Sequence, residues 1–444
     1  TKVRILFYDD DVVRVIRSPR KNDDFTTSSK ILNAPEKRFS SWELIEESRS
    51  YILKTEKLQV VLKTETGIIS YLNPEGDPIL EELYHSFNSG DFKLEQALLN
   101  YRNEGIYGLG QLQDGVMNRI NTPVRLQQYN TVAVNPFIMS SRGYGILWDN
   151  YSITDFNRPE NELKLTANYF GEDTIYTTDF IPEKTGTYYF MLESNIEADR
   201  FMGDVNLNIA GEDVILWNTL WVPKTHSGKI YLEEGKNYRV EFRNENTDYP
   251  GRIFYNGPDY GKTSFSSFLG DKIDYYFIYN PDLNGITRSY RELTGKAPLF
   301  GKWAYGFWQC RERYKTMDEI LENAREYRKR NIPVDVIVQD WFYWPEGEKG
   351  PEFDRKKYPD PAQMVDEIHK LDFRLMISIW PEIINPKIKS DLELQNFMIP
   401  GTDWVDIYNP DAGAAFYNYL NDSLLSLGID GLWLDGTEPE FDKH

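Results

Sequence analysis

The segment Gly428-Ile-Asp-Gly-Leu-Trp-Leu-Asp-Gly-Thr-Glu-Pro-Glu440 decides the fold of the second half of the chain. Its run of apolar residues predicts a short buried strand at 429–434, which delivers the carboxylate of Asp435 at its end. Trp433 and Glu438 lie close to this carboxylate in sequence. A carboxylate in such a position can serve as a nucleophile.

Predicted helices alternate with predicted strands in the residues before this segment. Capping residues begin three predicted helices: Thr316 with Glu319, Asp360 before Pro361, and Asp411. The predicted strands that alternate with these helices cover residues 303–308, 334–338, 374–379 and 429–434. Strands that alternate with helices form a parallel sheet, and in barrels of this kind the chemistry lies at the carboxyl ends of the strands.

The first part of the chain has a different pattern. Residues 1–165 contain short alternating or β-branched runs separated by turns, which predict a β-sandwich. Residues 166–265 are also rich in predicted strands, with clear alternation at 205–209 and 238–242. The run at 274–279 predicts a strand that returns to the first sandwich, so we assign 266–295 to that domain. The simplest account is a β module inserted into a β domain.

Composition excludes several classes of function. A chain of 444 residues is too long for one compact core and predicts several domains. The formal net charge of −20 disfavours nucleic acid as a partner. Cys310 is the only cysteine, which excludes an internal disulfide and a cysteine zinc cluster. No apolar run is long enough to predict a membrane span.

The four predicted strand ends carry polar and aromatic side chains. In chain order these are Gln309 and Arg311, Asp340 and Trp341, Trp380 and Glu382, and Asp435 and Glu438. Two acids and two indoles at adjacent ends are expected to face one pocket. Indole faces can position a sugar ring, and hydroxyls bonded to Asp340 contribute about 1.5–3 kcal/mol each. Asp435 can attack an anomeric carbon when a second acid, about 5–5.5 Å away, protonates the leaving oxygen.

Other interpretations of these residues stay open at this point. An aspartate after a strand is often a helix N-cap, although the residues after Asp435 do not open a helix cleanly. Asp435, Glu438 and Glu440 could instead bind a hard cation. The indoles could pack the barrel, which is the expected role of Trp433 inside its strand. The four histidines have no evident nucleophile partner in the sequence, so a histidine-based triad is not expected.

At this point the motifs resemble glycoside hydrolase family 31. The segment ending in Trp-Leu-Asp435-Gly-Thr-Glu resembles the nucleophile motif of that family, W-x-D-x-x-E. The other matching stretches are 301–314, in the form typical of α-xylosidase members, 337–344 and 376–381 in the barrel, and 104–111 and 147–151 in the sandwich. These motifs fall in the expected order over nearly the whole chain.

The resemblance implies a fold and a mechanism. Residues 296–444 are expected to form the first half, four βα units, of a (β/α)8 TIM barrel. The implied reaction is retaining hydrolysis through a covalent glycosyl-enzyme on Asp435, and no metal or organic cofactor is implied. The predicted substrate-binding residues are Asp340, Trp341, Trp380, Arg311 and Glu438.

Two further expectations follow from the resemblance. The insert at 166–265 resembles a PA14 domain, a module that often contacts carbohydrate. The acid/base of the family lies later in the barrel, which predicts a second polypeptide segment carrying that residue and the remaining strands. The predicted substrate is an oligosaccharide. The substrate class and the inserted module favour the periplasm or cell surface, with the cytoplasm as the alternative.

The leading hypothesis is a retaining α-xylosidase that releases non-reducing α-xylosyl residues from oligosaccharides such as xyloglucan fragments. An α-glucosidase or α-glucosyltransferase of the same family is the closest alternative. A non-catalytic carbohydrate-binding protein is an alternative from another class, and a PA14-type adhesion protein leaves the barrel motifs unexplained. A binding protein has no need of a carboxylate at the strand tip, so Asp435 favours an enzyme.

Overall fold

The computed structural model describes residues 2–23, 25, 29, 32, 39–88, 90, 92–170, 173–194, 202–220, 223–244 and 251–437. The chain divides into two compact units, Thr1–Ala297 and Pro298–His444. Across the described ranges, no helix combines the length and apolar character needed to cross a membrane.

The first unit begins with the strands of a β-sandwich. They are β1 Lys2–Asp9, β2 Val12–Ser18, β3 Glu43–Glu46, β4 Ser50–Lys54, β5 Gln59–Lys63, β6 Ile69–Leu72, β7 Pro78–Asn88, β8 Lys93–Leu99, β9 Ile106–Gln111, β10 Val124–Leu126, β11 Ala133–Ser140, β12 Tyr144–Trp148 and β13 Thr154–Phe156. The alternating runs recognised in the sequence therefore form strands, because side chains of one parity can enter a common core.

An inserted β module follows. Its strands are β14 Asn161–Leu163, β15 Thr166–Phe170, β16 Asp173–Phe180, β17 Gly186–Glu193, β18 Met202–Ile209, β19 Glu212–Leu220, β20 Thr225–Leu232, β21 Tyr238–Asn244 and β22 Arg252–Asn256. They form two sheets, β14-β22-β17-β20 and β15-β16-β21-β18-β19. Apolar side chains from both sheets, including Phe190, Leu207 and Phe242, fill a core of their own.

The chain then returns to the sandwich through β23 Lys262–Ser267, β24 Ile273–Tyr279 and helix α1 Leu283–Thr294. The sandwich sheets run β1-β2-β24-β12-β11-β9 and β10-β13-β23-β8-β7-β6-β5-β4-β3. The predicted return of 274–279 is confirmed, since β24 pairs with both β2 and β12. Strand pairing moves the bounds of the insert: β14 belongs to it, before the predicted start at 166, while β23 pairs with β8 of the sandwich, before the predicted end at 265.

The second unit contains parallel strands joined by helices. The elements are a 3-10 helix Lys302–Tyr305, β25 Trp308–Gln309, α2 Met317–Lys329, β26 Val336–Gln339, α3 Pro361–Lys370, β27 Arg374–Ile379, α4 Pro386–Leu394, α5 Pro410–Ser423, a second 3-10 helix Leu425–Leu427, and β28 Gly431–Leu434. The sheet order is β25-β26-β27-β28, and every neighbouring pair is parallel. The predicted alternation of strand and helix is present.

Two helix starts agree with the predicted caps and one does not. The side chain of Thr316 accepts a hydrogen bond from the backbone N–H of Glu319, and Asp360 caps α3 with a proline following it. The predicted cap at Asp411 is wrong. Asn409 caps α5, because the next residue is a proline that occupies the first helical position.

Two predicted strands differ from the structure. The first half of the run 303–308 lies in a 3-10 helix that ends at Gly306, where a Cβ would lie 2.0 Å from Asp335 Oδ2. Its alternating aromatics imitate a strand, yet Trp308 donates its indole N–H back to the carbonyl of Ala304 at 3.2 Å. The strand expected to be buried at 429–434 starts at Gly431 and lies at the edge of the described sheet, where Leu434 is 63% exposed. With a neighbour on one side only, its tip is not covered.

Candidate active site

The register of the parallel sheet brings the predicted acids to one face. Val338 pairs with Met376, and Met376 pairs with Gly431. Side chains alternate along a strand, so residues two and four positions further on share that face. By this alternation Asp340 and Asp435 lie on the same face of the sheet. They are at the carboxyl ends of β26 and β28, with β27 between them.

Asp435 is held at the tip of β28 by the neighbouring strand. Its backbone N–H donates to the carbonyl of Ile379 at 3.0 Å, which continues the sheet pairing by one residue. The carboxylate accepts a bond from the N–H of Gly436 at 2.8 Å and a long one from the hydroxyl of Ser378 at 3.5 Å. Burial raises the pKa of Asp435 above its ordinary value, although these two donors, the charge of Lys349 and the indole N–H of Trp380 oppose the shift.

Asp340 is more deeply buried, with 8% of its surface exposed. The backbone N–H of Trp341 donates to its Oδ1 at 2.7 Å. Burial is the main cause that raises the pKa of Asp340 to about 6, and the charges of Asp435 and Glu312 add to it against the opposing effect of Arg313. Electrostatic coupling between the two aspartates is consistent with one shared site.

Two indoles form a wall beside these acids. The rings of Trp341 and Trp380 are nearly parallel, with centroids 5.9 Å apart and an angle of 14° between the planes. The ammonium of Lys349 lies 4.4 Å from the centroid of Trp380 and pairs with Glu382. Gly436 lies against the six-membered ring of the Trp380 indole: a Cβ at this position would be 2.4 Å from Cε3 of Trp380. Only a glycine permits this approach.

The structure places the remaining predicted residues elsewhere or leaves them outside the described ranges. Arg311 pairs with Glu319 on α2 at 3.2 Å, so its predicted substrate contact stays a prediction. Arg313, two residues later, lies 4.5 Å from the centroid of Phe342 and influences Asp340. Glu438, and the cation site proposed with Glu440, lie outside the described residues.

Sequence reasoning missed Ser378, Lys349 and Gly436 as parts of this site. For Ser378 a signal was present: it is a polar residue that interrupts the apolar run after Arg374 in β27, and it shares the face of Met376 and Trp380. Lys349 lies in a long connection after β26, where no periodic pattern fixes the direction of a side chain. The role of Gly436 depends on the position of a ring on another strand.

Comparison with known proteins now decides the family. Residues 297–444 match the family model described as the glycosyl hydrolases family 31 TIM-barrel domain. Residues 2–157 match the glycosyl hydrolase 31 N-terminal galactose mutarotase-like domain. The two matches together span more than half of the chain. The chain belongs to glycoside hydrolase family 31. The family predicted from the motifs is thus confirmed, and so are the N-terminal sandwich and the start of a TIM barrel.

Individual family 31 proteins resemble the chain at moderate identity. An α-xylosidase of Saccharolobus solfataricus is 30% identical over 405 residues, which are 89% of this chain and 41% of that protein. Alpha-glucosidase 2 of Bacillus thermoamyloliquefaciens is 28% identical over 279 residues, covering 55% of this chain and 34% of the other. The crystal structure of the family 31 α-xylosidase from Xanthomonas citri superimposes with a TM-score of 0.83 at 28% identity, covering 99% of this chain and 56% of that one.

The chain therefore spans about two fifths of the length of the Saccharolobus relative and about half of the Xanthomonas protein. The inserted module lies between the two ranges matched by the family models, and its likeness to a PA14 domain stays a prediction.

Proposed function

We propose that this chain carries the nucleophile half of a retaining α-glycoside hydrolase that releases non-reducing α-xylosyl residues from oligosaccharides such as xyloglucan fragments. The observation that carries the proposal is Asp435: a half-buried carboxylate at the carboxyl end of a parallel strand. Its side chain accepts a short hydrogen bond from the N–H of Gly436 and a long one from Ser378, and the indole of Trp380 also acts on it. A carboxylate with few donors keeps lone pairs available for attack on carbon.

The neighbouring groups suit the sugar that such an attack requires. The parallel indoles of Trp341 and Trp380 offer flat apolar faces to the C–H face of a pyranose ring. Asp340 offers carboxylate oxygens to ring hydroxyls when it is ionised. In the proposed reaction Asp435 bonds to the anomeric carbon as the glycosidic C–O bond breaks, and water later releases the sugar with retention of configuration.

A second acid must protonate the leaving oxygen. We propose that it comes from a further polypeptide segment carrying the rest of the barrel, as the family resemblance implies. We also propose the periplasm or the cell surface as the compartment, on the basis of the substrate class and the inserted module.

The preference for xylose rests on the relatives. The Saccharolobus and Xanthomonas proteins are named α-xylosidases, whereas the Bacillus relative is named an α-glucosidase. An α-glucosidase is therefore the alternative function. Rates of the complete enzyme on matched aryl α-xyloside and aryl α-glucoside substrates separate the two. We expect kcat/KM to be higher on the xyloside, and an equal or higher value on the glucoside would contradict that preference.

The mechanism is tested by covalent trapping. The complete enzyme is incubated with a 5-fluoro-xylosyl fluoride, digested, and mapped by mass spectrometry. We expect the label on the peptide that contains Asp435 and none in the Asp435→Asn variant. A label on another residue, or no label while hydrolysis continues, would overturn the assignment. Binding of glycosides by the complete enzyme without cleavage of any of them would favour the non-catalytic carbohydrate-binding alternative.

A further inference from the structure

A cavity lies at one end of the sandwich, between the loop that follows β12 and the loop that joins β23 to β24. Its volume is about 420 Å³, which falls in the range of roughly 300–1,000 Å³ found for small-molecule pockets. Residues 149–152 and 269–272 form most of its wall, and Arg14 and Asp274 contribute from β2 and β24. The cavity lies wholly within the first unit and has room for a ligand of the size of one sugar ring.

The pairing of β12 with β24 places two carboxylates side by side in this wall. The last pair that the two strands form joins Trp148 to Tyr275. One residue further, the N–H of Asp149 donates to the carbonyl of Asp274 at 2.9 Å, so these two aspartates are opposite each other. Like charges directly opposite each other on neighbouring strands are destabilising. The sheet itself therefore gains nothing from a carboxylate at both positions unless a positive charge serves both.

One guanidinium serves these two carboxylates unequally. Arg14 on β2 donates to both oxygens of Asp274, at 2.9 and 2.6 Å. Its Nη2 is 3.9 Å from Oδ2 of Asp149, which is beyond hydrogen-bond length. Asp149 is 8% exposed, and neither of its carboxylate oxygens has a hydrogen-bond partner among the residues that the structure describes. The hydroxyl of Ser29, which also lines the cavity, has none among them either.

The unpartnered carboxylate of Asp149 indicates what an occupant of the cavity has to supply. Buried polar groups are as a rule hydrogen-bonded, so donors are expected to come from inside the cavity. Hydroxyl groups are suitable donors, because each carries an O–H and a carboxylate accepts through both of its oxygens. Ordered water is the other occupant to consider, and the experiment below separates it from a ligand.

The charges around the cavity disfavour an ionic ligand of either sign. An anion would meet the carboxylates of Asp149 and Asp271. A cation beside Asp149 would lie close to the guanidinium of Arg14, which already faces that carboxylate. Lys272, the other positive residue of the wall, pairs with Asp23 at 3.2 Å. A neutral donor of hydrogen bonds meets neither obstacle.

The acids of the wall also do not gather as the ligands of a metal ion do. Among the described residues, the acids close enough together to hold one ion are Asp9, Asp10 and Asp11, where β1 turns into β2. None of these three lines the cavity. Calcium takes roughly six to eight oxygens, so a ligand that brings its own hydroxyls suits the cavity better than a bare cation.

Apolar surface lies at the mouth of the cavity. Tyr151 and Leu269 line it and are 54% and 60% exposed. Aromatic and aliphatic surface of this kind packs against the C–H face of a pyranose. An apolar mouth above a carboxylate therefore suits a ring that has C–H bonds on its faces and hydroxyls at its edge.

We propose that this cavity binds one neutral pyranose ring, whose hydroxyls donate to Asp149 and whose C–H face packs on Tyr151 and Leu269. The site is formed by the sandwich alone and uses none of the residues assigned to catalysis. It goes beyond the proposed function and does not depend on it.

The test follows Tyr151, which lies at the mouth of the site. The complete protein, labelled with 3-fluorotyrosine, is titrated with D-xylose and with D-glucose and followed by ¹⁹F NMR. We expect the Tyr151 resonance, assigned by its loss in Tyr151→Phe, to shift in a saturable manner. Tyr51 on β4 is 40% exposed and does not line the cavity, so its resonance, assigned in the same way, should not move.

Variants at Asp149 test the contact that carries the proposal. Asp149→Leu removes both acceptors and should abolish the saturable shift of Tyr151. Asp149→Asn keeps the shape but loses the charge, and it should raise the apparent Kd by roughly tenfold, because charge-assisted hydrogen bonds are about twice as strong as neutral ones. Asp77→Asn, an exposed position before β7 that does not line the cavity, should bind as the unaltered protein does. The shift should persist in Asp435→Asn, which separates this site from the proposed catalytic one.

Stability without sugar separates binding from a structural role. The urea midpoint of Asp149→Asn should equal or exceed that of the unaltered protein, because the repulsion from Asp274 is relieved. A lower midpoint together with an unchanged affinity for sugar would make Asp149 a structural partner of Arg14 and would overturn the proposal.

Three further outcomes would also overturn it. The first is the absence of any shift of Tyr151 with either sugar, which would leave water as the occupant. The second is binding of D-glucosamine or of D-glucuronate at least tenfold tighter than binding of D-glucose, which would assign the cavity to a charged ligand. The third is a shift of Tyr51 as large as that of Tyr151, which would indicate a general solvent effect.

Discussion

The two units of the protein both bury carboxylates, but they surround them differently. In the sandwich, Glu82 is 1% exposed and is fully occupied by donors. Arg17 Nη2 and the N–H of Ile69 donate to Oε2 at 2.5 and 2.7 Å, and the hydroxyl of Tyr275 donates to Oε1 at 2.6 Å. Each oxygen of this carboxylate has a partner, so its burial is compensated within the fold.

The carboxylates at the strand ends of the second unit lack such partners. Asp435 accepts a long hydrogen bond from the hydroxyl of Ser378 at 3.5 Å and is also affected by the indole N–H of Trp380, and Asp340 receives one backbone N–H. Burial raises the pKa of both groups. The difference indicates that Glu82 stabilises the fold, whereas Asp340 and Asp435 are available to bind another molecule. Groups with strongly shifted pKa values gather at functional sites.

The largest expected effect is the loss of activity in Asp435→Asn. If this carboxylate is the nucleophile, kcat of the complete enzyme on an aryl α-xyloside should fall by roughly 10⁴-fold or more, as removing a nucleophile does in other hydrolases. The urea-unfolding free energy should not decrease, because burial already raises the pKa of this group and so disfavours its charged form. A residual rate within tenfold of the original would contradict the assignment.

The matched control for that variant lies at the other end of the same strand. Asp430 binds His369 at 2.8 Å and Arg374 at 3.0 Å, and it accepts the N–H of Leu375. Its substitution by Asn should lower stability by about 1–2 kcal/mol while leaving kcat within a few-fold. Equal losses of activity in both variants would show that the assay reports unfolding rather than chemistry.

The second expected effect is on stability in the sandwich. Glu82→Gln leaves the guanidinium of Arg17, which is completely buried, without its countercharge. Breaking one partner of a buried pair costs about 3–5 kcal/mol, which should appear as a lower urea midpoint. Glu81→Gln, on the same strand but 37% exposed and paired with Lys63, should cost less than about 1 kcal/mol. A similar small cost for both variants would show that the buried pair of Glu82 and Arg17 contributes no more to stability than an exposed pair.

The sequence predicted these two regions to different extents. The strands of the second unit and the acids at their ends followed from apolar runs, caps and the rule that parallel strands point the same way. The network around Glu82 did not, because its members come from β2, β6, β7 and β24, and no local pattern relates strands so distant along the chain. The turn at 302–305 was missed because its aromatic alternation is also that of a strand.

Site details that depend on exact approach were equally hidden. Position 436 appeared in the sequence only as a residue that does not open a helix. In the structure its φ of 55° and the ring of Trp380 make a side chain there costly. The pairing of Arg311 with Glu319, instead of with a strand-end acid, depends on where α2 lies and on which charge is nearest.

The third prediction uses this glycine. Gly436→Ala should displace either the indole of Trp380 or the carboxylate of Asp435, since the ring lies 2.4 Å from the new Cβ. We expect kcat/KM to fall by roughly 10- to 100-fold, as small misplacements of reacting groups do. Gly347→Ala is the control: its φ is 74°, yet nothing lies within 4 Å of the new Cβ, so it bears the backbone strain without the displacement. Equal losses in both variants would assign the effect to strain alone.

The smallest expected effect is a gain in stability at Asp340. Its pKa is raised from 3.8 to about 6, so the folded state binds this proton more tightly than the unfolded state does. The stabilisation is therefore complete below about pH 4 and is lost as the pH rises through 6. Asp340→Asn removes the ionisation, and above pH 6 it should unfold with a free energy higher by about 1–2 kcal/mol, below the full value of roughly 3 kcal/mol for such a shift.

Below pH 4 the same variant and the unaltered chain should be equally stable, because the carboxyl group is then protonated in both states. The control is Asp360→Asn, an exposed N-cap at which asparagine caps as well as aspartate, so its difference should be near zero throughout. Sugar binding should move in the opposite direction: Asp340→Asn is expected to raise KM for the aryl xyloside. A variant that is neither more stable at pH 7 nor weaker in binding would remove Asp340 from the site and leave the contrast with Glu82 to Asp435 alone.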